Sequence, residues 1–331
     1  MLPSEISALL IDTYGPPENL KIGKRPMPVA GEGEVLVKVA AAGVNRADVM
    51  QRQGKYPPPA GASDIPGMEI SGIVAALGPN VSQWKTGDKI CALLNGGGYA
   101  DYVAVPEGHC LPVPDNMKLQ DAAALPEAMI TVYANLFESG ALKSGETALI
   151  HGGSSGIGTM AIQMVKARGA SVIVTVRTHE KREACYALGA DFAVVYDEED
   201  FVDTCRRATA GRGVDVVLDM VGGDYVVKNL TALCVGGRHV SIASQKGAKA
   251  EIDIRMIMQK RLVLTGSTLR GRDRAEKARL VTKLREEFWP GVATQKIKPV
   301  IYQRFPLKDG VQAHKMMENG AHIGKILLEI P

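Results

Sequence analysis

The chain has 331 residues, 46% hydrophobic and 23% charged, enough for about two domains with sizeable cores, which excludes disorder as its main state. Lys and Arg number 39 against 36 Asp and Glu, a net charge of +3 that is too small and too dispersed for a protein gripping a nucleic-acid backbone, and 5% aromatic content argues against base-stacking platforms. No apolar run approaches the ~18 residues of a membrane span, the opening Met1-Leu2-Pro3-Ser4-Glu5 does not read as a secretory signal, and five cysteines without a C-x-x-C pair fit reduced structural thiols in a cytoplasmic protein.

The first third is punctuated by glycine and proline. Between these lie strand-like stretches at Glu34–Val39, Glu69–Leu77, Lys89–Leu94 and Tyr99–Val105, rich in branched residues near period two, which predict a small, mainly antiparallel barrel or sandwich. Tyr56-Pro57-Pro58-Pro59 is a loop, since consecutive prolines suit neither a ladder nor a helix interior. Near residue 121 the texture changes to alternating strand and helix patterns. Strands are expected at Thr147–His151, Ala170–Val176, Asp191–Tyr196, Val214–Met220, Arg238–Ala243 and Leu262–Thr268, with helices between, the pattern of a doubly wound parallel sheet. A helix over Arg274–Phe288 and short strands at Pro299–Phe305 and Lys325–Ile330 follow, and the last strand is expected to return to the first domain.

The segment His151-Gly152-Gly153-Ser154-Ser155-Gly156-Ile157-Gly158 joins the first of those parallel strands to a helix whose apolar face is Ile157, Met160, Ala161, Met164 and Val165. Glycines there permit a sharp turn and let backbone approach a pyrophosphate, whose charge suits a helix N-terminus. Gly153, Ser154, Ser155, Gly156 and Ile157 are therefore candidate phosphate-binding residues. At the end of the next strand, an acidic residue would bind a ribose 2′-hydroxyl. Val176-Arg177-Thr178 stands there instead, with Lys181 one turn on and Tyr196 at the end of the following strand. A guanidinium, two hydroxyls and an ammonium suit a 2′-phosphate, so the expected cofactor is NADPH.

Asn45-Arg46-Ala47-Asp48-Val49-Met50-Gln51-Arg52-Gln53-Gly54-Lys55-Tyr56, Pro66-Gly67-Met68-Glu69, Gly96-Gly97-Gly98-Tyr99-Ala100, Leu125-Pro126-Glu127-Ala128 and Gly324-Lys325-Ile326 give the chain its family resemblance. It resembles the medium-chain dehydrogenase/reductase superfamily, and within it the zeta-crystallin-like, NADPH-dependent quinone oxidoreductases, especially the stress-inducible type. The resemblance covers nearly the whole chain. It implies an α/β protein with a GroES-like, mainly antiparallel catalytic domain (residues 1–126 with 269–331) and a Rossmann NADPH-binding domain (127–268). Zinc members of the superfamily carry Cys where Asn45 stands and His where Met68 stands, so the resemblance implies a zinc-free enzyme. Arg177 departs from the Gly or Ser often found in the family.

The resemblance also assigns roles. Tyr56 and Ser155 match positions tied to activity, and Asn45 a cleft residue near the nicotinamide. Thr131 matches a nicotinamide-side contact, and Arg177, Thr178, Lys181 and Tyr196 the adenosine-phosphate pocket. Ser267, Leu269 and Lys325 match positions near the cofactor. The alternatives read from the residues are Asn45 as a turn-capping amide, Tyr56 as a loop anchor and Asp48 as a helix N-terminal charge. The implied reaction is hydride transfer from NADPH to a small quinone or enone, by a homodimer with no nucleic-acid or membrane partner. An enoyl-thioester reductase of the same superfamily and an NADPH-binding protein with little turnover are the alternatives. A short-chain dehydrogenase is disfavoured, because its Y-x-x-x-K pair is absent and only Tyr225-x-x-Lys228 follows the loop.

Overall fold

The structure is a computed structural model and describes residues 2–331. In chain order, the first stretch holds β1 (Glu5–Ile11), β2 (Leu20–Pro26), β3 (Glu34–Val44), α1 (Arg46–Arg52), β4 (Glu69–Leu77), β5 (Lys89–Leu93), β6 (Tyr102–Pro106) and β7 (Cys110–Pro112). The middle stretch holds α2 (Pro126–Val132), β8 (Thr147–His151), α3 (Gly156–Ala167), β9 (Ser171–Val176), α4 (His179–Ala187), β10 (Phe192–Val195), α5 (Phe201–Ala208), β11 (Val214–Asp219), α6 (Tyr225–Ala232), β12 (Leu233–Ser241), α7 (Ile254–Lys260) and β13 (Val263–Gly266). The last stretch holds α8 (Arg274–Glu287), α9 (Trp289–Ala293), β14 (Ile301–Pro306), α10 (Gly310–Asn319) and β15 (Lys325–Glu329).

These elements form two compact units. One comprises Met1–Glu127, Leu269–Ala293 and Pro299–Pro331; the other Ala128–Thr268 and Thr294–Lys298. The short segment 294–298 therefore departs from the boundary expected from sequence. Its attachment is a reciprocal pair of hydrogen bonds: Gln163 on α3 donates to the Lys298 carbonyl and accepts from the Lys298 amide, both at 3.0 Å.

The first unit is built on a seven-stranded sheet in the order β14-β15-β3-β4-β5-β7, with β6 also paired to β3. Its pairings are antiparallel except β14 with β15. β3 runs to Val44, five residues past the predicted strand, because Ala41–Val44 continue its ladder against β4 and β15. The hairpin of β1 and β2 is absent from the sequence reading; its burial alternates weakly and its turn carries no Asn-Gly signal. The core gathers Val35, Val37, Val39, Ile70, Val74, Ile90, Ile326 and Leu328.

The second unit is a six-stranded, wholly parallel sheet ordered β10-β9-β8-β11-β12-β13. Counted from β8, that order is the doubly wound 3-2-1-4-5-6, which reverses direction between β8 and β11 and opens a crevice at the carboxyl ends there. β8 and β11 are buried along their whole length. Gly169, in the left-handed region at φ +76°, ends α3, as the sequence suggests.

Candidate active site

Each unit contributes a cluster of polar groups. In the second unit, β8 ends at His151 and the chain turns through Gly152–Ser155 into α3. The Gly153 amide donates to the Thr175 carbonyl at 2.9 Å, which pins the loop against β9. A Cβ at Gly153 would lie 2.5 Å from Val174, and one at Gly158 would lie 2.3 Å from the Gly152 carbonyl. Only hydrogen fits at either place, so both glycines are required by the tight turn that leads into the N-terminus of α3. Ser155 caps α3, its Oγ accepting from the Gly158 amide at 3.0 Å, and its own O–H remains a donor.

At the end of β9, Arg177 and Thr178 are exposed, and Lys181 is buried. Thr178 caps α4 by accepting from the Lys181 amide at 3.3 Å. Tyr196 adjoins them through its amide bond to the Val176 carbonyl, 3.2 Å. The structure thus brings Arg177, Thr178, Lys181 and Tyr196 together beside the glycine loop's strand. Thr131 and Ser267 are tied to Asn135: the Thr131 carbonyl accepts from Asn135 Nδ2 at 2.8 Å, and Ser267 Oγ donates to Asn135 Oδ1 at 2.8 Å. That donation uses the Ser267 proton within the protein.

Sequence reading missed a buried polar network under the loop. His151 Nδ1 lies 3.0 Å from Thr175 Oγ1 and its Nε2 lies 2.7 Å from Asn229 Oδ1. Asn229 continues to His239, and His239 to Asp219 at 3.2 Å. Burial lowers the His151 pKa, so the ring is neutral and, facing a carbonyl oxygen, carries its proton on Nε2. Four strands and α6 are joined by this network, and no spacing in the sequence announces it.

In the first unit, the cluster is assembled from distant segments. β15 runs antiparallel to β3 with Ile326 opposite Val44, which sets Lys325 beside Asn45. Lys325 Nζ donates to Asn45 Oδ1 at 2.6 Å and pairs with Glu69 Oε1 at 2.5 Å. Asn45 Nδ2 donates to the same carboxylate oxygen at 3.0 Å, and Glu69 Oε2 accepts from the Glu127 amide at 2.9 Å. The strong contacts of the Asn45 amide are therefore internal, and Asn45 also takes part in a capping box, its own amide donating to Asp48 at 2.8 Å. Asp48 further accepts from the Gly67 amide at 3.0 Å and from the Tyr99 hydroxyl at 3.2 Å. Asp48 is thus more than a helix N-terminal charge; burial raises its pKa to about 6.

Tyr56 stands half-buried on the proline loop, and its hydroxyl has no hydrogen-bond partner among the described residues. Burial, then the Glu127 carboxyl, push its phenol above the usual range, so it stays protonated. Its ring and backbone are held by Arg270, a residue the sequence reading did not single out. The guanidinium lies 5.5 Å from the ring centroid and donates to the Tyr56 carbonyl at 3.3 Å, to the Asn95 carbonyl at 2.8 Å and to Gln51 Oε1 at 2.7 Å. Buried Lys277 holds this frame from behind, donating to the Arg270 carbonyl at 2.6 Å and to Asn95 Oδ1. Leu269, adjacent to Arg270, is buried.

The donor set does not suit zinc. Met68 is a buried thioether and Asn45 a neutral amide, and the ammonium of Lys325 already neutralises Glu69. Among the described residues, no three His, Cys, Asp or Glu side chains gather as metal ligands.

Comparison with known proteins agrees with this architecture. Residues 31–115 match the alcohol dehydrogenase GroES-like domain, and residues 156–284 match a family described as zinc-binding dehydrogenase. A probable quinone oxidoreductase of Schizosaccharomyces pombe is 32% identical, the match covering 96% of this chain and 95% of that protein. The structure of Escherichia coli quinone oxidoreductase complexed with NADPH superposes with a TM-score of 0.86 at 31% identity, covering 98% of this chain and 99% of that one. The enoyl reductase CurK gives a TM-score of 0.85 at 26% identity, covering 99% and 100%. With its GroES-like unit, its 3-2-1-4-5-6 sheet and full-length likeness at this identity, the chain belongs to the zeta-crystallin-like quinone oxidoreductases of the medium-chain dehydrogenase/reductase superfamily.

Proposed function

We infer that this protein is an NADPH-dependent quinone oxidoreductase. The observation that carries the reading is the second unit's glycine loop, tightly turned at Gly153 and Gly158 into the N-terminus of α3, beside the basic group of Arg177 and Lys181. When bound there, NADPH supplies the hydride that reduces a quinone or related conjugated carbonyl. The backbone of Gly153–Ile157 and the Ser155 hydroxyl would hold its pyrophosphate, and Arg177, Thr178, Lys181 and Tyr196 its 2′-phosphate. Thr131, Ser267, Leu269 and Lys325 are proposed to border the cofactor, Ser267 and Lys325 through side chains fixed as described.

The first unit is proposed as the catalytic domain and the second as the nucleotide-binding domain. Tyr56 is proposed to donate its phenolic proton in a hydrogen bond to the acceptor oxygen as negative charge grows there. Asn45 acts by position: its amide holds the Lys325 ammonium against Glu69, a fixed cation in place of a metal. No zinc step is needed, because a quinone is already electrophilic.

The exposed edge of the parallel sheet supports a homodimer. β13 pairs only with β12, and Val263 and Leu264 on it, with Ile254 and Met258 on α7, are exposed. Five free, buried cysteines support a reducing, cytoplasmic location; no helix among the described residues is long and apolar enough to cross a membrane.

The test is NADPH oxidation across benzoquinones, naphthoquinones, simple enones and enoyl thioesters. Quinones are expected to turn over fastest. A clear preference for enoyl thioesters would move the assignment to the enoyl reductases that the fold also resembles, and binding without turnover on any acceptor would refute the enzyme.

A further inference from the structure

The sequence reading and the family likeness give no role to Lys246, on the loop that follows β12. Its backbone is fixed. The Lys246 amide donates to the Val221 carbonyl at 2.8 Å, the Gln245 amide to the Met220 carbonyl at 3.2 Å, and the Gly223 amide to the Gly247 carbonyl at 2.9 Å. Two loops, one after β11 and one after β12, are thereby zipped together at the carboxyl end of the sheet, where nucleotide crevices of such folds open.

From this loop the Lys246 ammonium lies 5.0 Å from the ring centroid of Tyr225 and 5.8 Å from that of Tyr196. Both distances are within the reach of a cation–π contact. The nearby carboxylates do not pair with it: Asp200 is paired with Lys228 at 3.2 Å and caps α5 through the Val202 amide, and Asp219 is held by His239 and by the Val221 amide. Asp197, beside Tyr196, makes no ion pair with Lys246 either. The result is an exposed ammonium steadied by two aromatic faces rather than by a counter-ion, with its hydrogen-bond donors turned to solvent.

Tyr196 is the shared plate. On its strand side stands Arg177, close enough to act electrostatically on the phenol, and Arg177 in turn repels Lys181 one turn further on. Arg177 belongs to β9's end, Tyr196 to β10's and Lys246 to β12's. Three cations from two separate stretches, Arg177 and Lys181 from the end of β9 into α4 and Lys246 from the loop after β12, carry like charge on either side of Tyr196, and a dianion set among them relieves their repulsion.

We propose that Lys246 is a specificity-determining residue of the nucleotide site, closing the 2′-phosphate subsite of Arg177, Thr178, Lys181 and Tyr196 from the β12 side. The proposal rests on the reading that this chain binds NADPH. It adds that discrimination against NADH comes partly from a loop remote in sequence from the β9 terminus, and that the lysine is pre-set on Tyr196 and Tyr225 before any nucleotide arrives.

Calorimetric titration with NADPH, NADH and 2′,5′-ADP tests it, using the full chain, Lys246→Met and Lys246→Arg. Lys246→Met is expected to weaken NADPH and 2′,5′-ADP about tenfold while leaving NADH unchanged, and to flatten the salt dependence of NADPH binding. Lys246→Arg is expected to keep most of the affinity. Equal weakening of NADPH and NADH would overturn the proposal, since the loop would then serve the whole nucleotide; so would unchanged affinity for all three ligands. If the unmodified protein binds NADPH no better than NADH, the cofactor reading falls as well, and that outcome is visible before any variant is made.

Discussion

The two polar clusters are built on opposite principles. The glycine loop of the second unit is eight consecutive residues whose chemistry lies in the backbone: a tight turn, a helix terminus and Cβ positions that must stay empty. The cluster of the first unit lies in side chains drawn from across the sequence, with Asn45 and Lys325 separated by 280 residues and Gln51 and Arg270 by 219. The first design tolerates changes of side chain wherever a Cβ fits. The second depends on matched partners, each of which leaves a buried polar group behind when removed.

That contrast can be tested at its strongest point first. Lys325→Met removes the cation from a pair in which the two side chains are 5% and 0% exposed, leaving the Glu69 carboxylate buried. The expected loss is about 3 kcal/mol, the low end of the ~3–5 kcal/mol for a broken buried pair, because Asn45 and the Glu127 amide still donate to Glu69. Urea unfolding measures it. The double variant Lys325→Met with Glu69→Gln should recover part of the loss, and full additivity of the two changes would show that the pair is not coupled.

In the backbone-built cluster, Gly158→Ala places a methyl 2.3 Å from the Gly152 carbonyl, which belongs to the loop and cannot swing away. A destabilisation of ~1–3 kcal/mol is expected, with NADPH affinity falling more than tenfold. Ser154→Ala, which keeps the Cβ already present and adds no atom to the loop, should lose little of either. If the two variants bind NADPH equally well, the steric account of the loop is wrong.

Tyr56→Phe sharpens the comparison from the other side. An oxyanion donor in a dry site is commonly worth ~2.7–4 kcal/mol. A quinone needs less help, since its reduced form is a stabilised aromatic oxyanion, so kcat should fall about tenfold with NADPH affinity unchanged. Loss of nucleotide affinity at constant kcat would make Tyr56 a cofactor contact, and no change in either would leave it a loop anchor. Arg270 is the control: Arg270→Gln should lower kcat as Tyr56→Phe does, by loosening the ring, and Arg270→Lys should restore part of it.

A last effect is one of pH. Burial first, and then the Glu69 carboxylate, raise the Glu127 pKa from its usual 4.5 to about 8. The folded state therefore holds a proton that the unfolded chain releases, and stability declines as pH rises from about 4.5 to about 8 through this group. Lys277 acts in the opposite sense higher up: burial lowers its pKa to about 8 from 10.5, so above that value the unfolded chain binds more protons and stability gains with pH. Glu127→Gln should flatten the decline between pH 5 and 8 in urea titrations, with the two proteins converging near pH 5. A parallel decline in both would assign it to other groups.

The second unit was legible in the sequence because its signals are local. β-branched runs gave its strands, the spacing of Ile157, Met160, Ala161, Met164 and Val165 gave α3, and a glycine cluster between them marked the turn. Arg177 could be read because it stands at the end of a strand whose limits the sequence shows. The absence of Cys and His at positions 45 and 68 was legible in the same way. What only the tertiary structure decided is which side chains meet. Nothing near Arg270 in the chain announces a partner for Tyr56, and Lys246 is one lysine among many until two tyrosine rings are seen beneath it. Periodicity reports the face a residue shows to the core. Sheet register and loop pairing decide what waits on that face: Ile326 opposite Val44 sets Lys325 against Asn45 and Glu69, and a slip of one residue would turn it to the other side of the sheet.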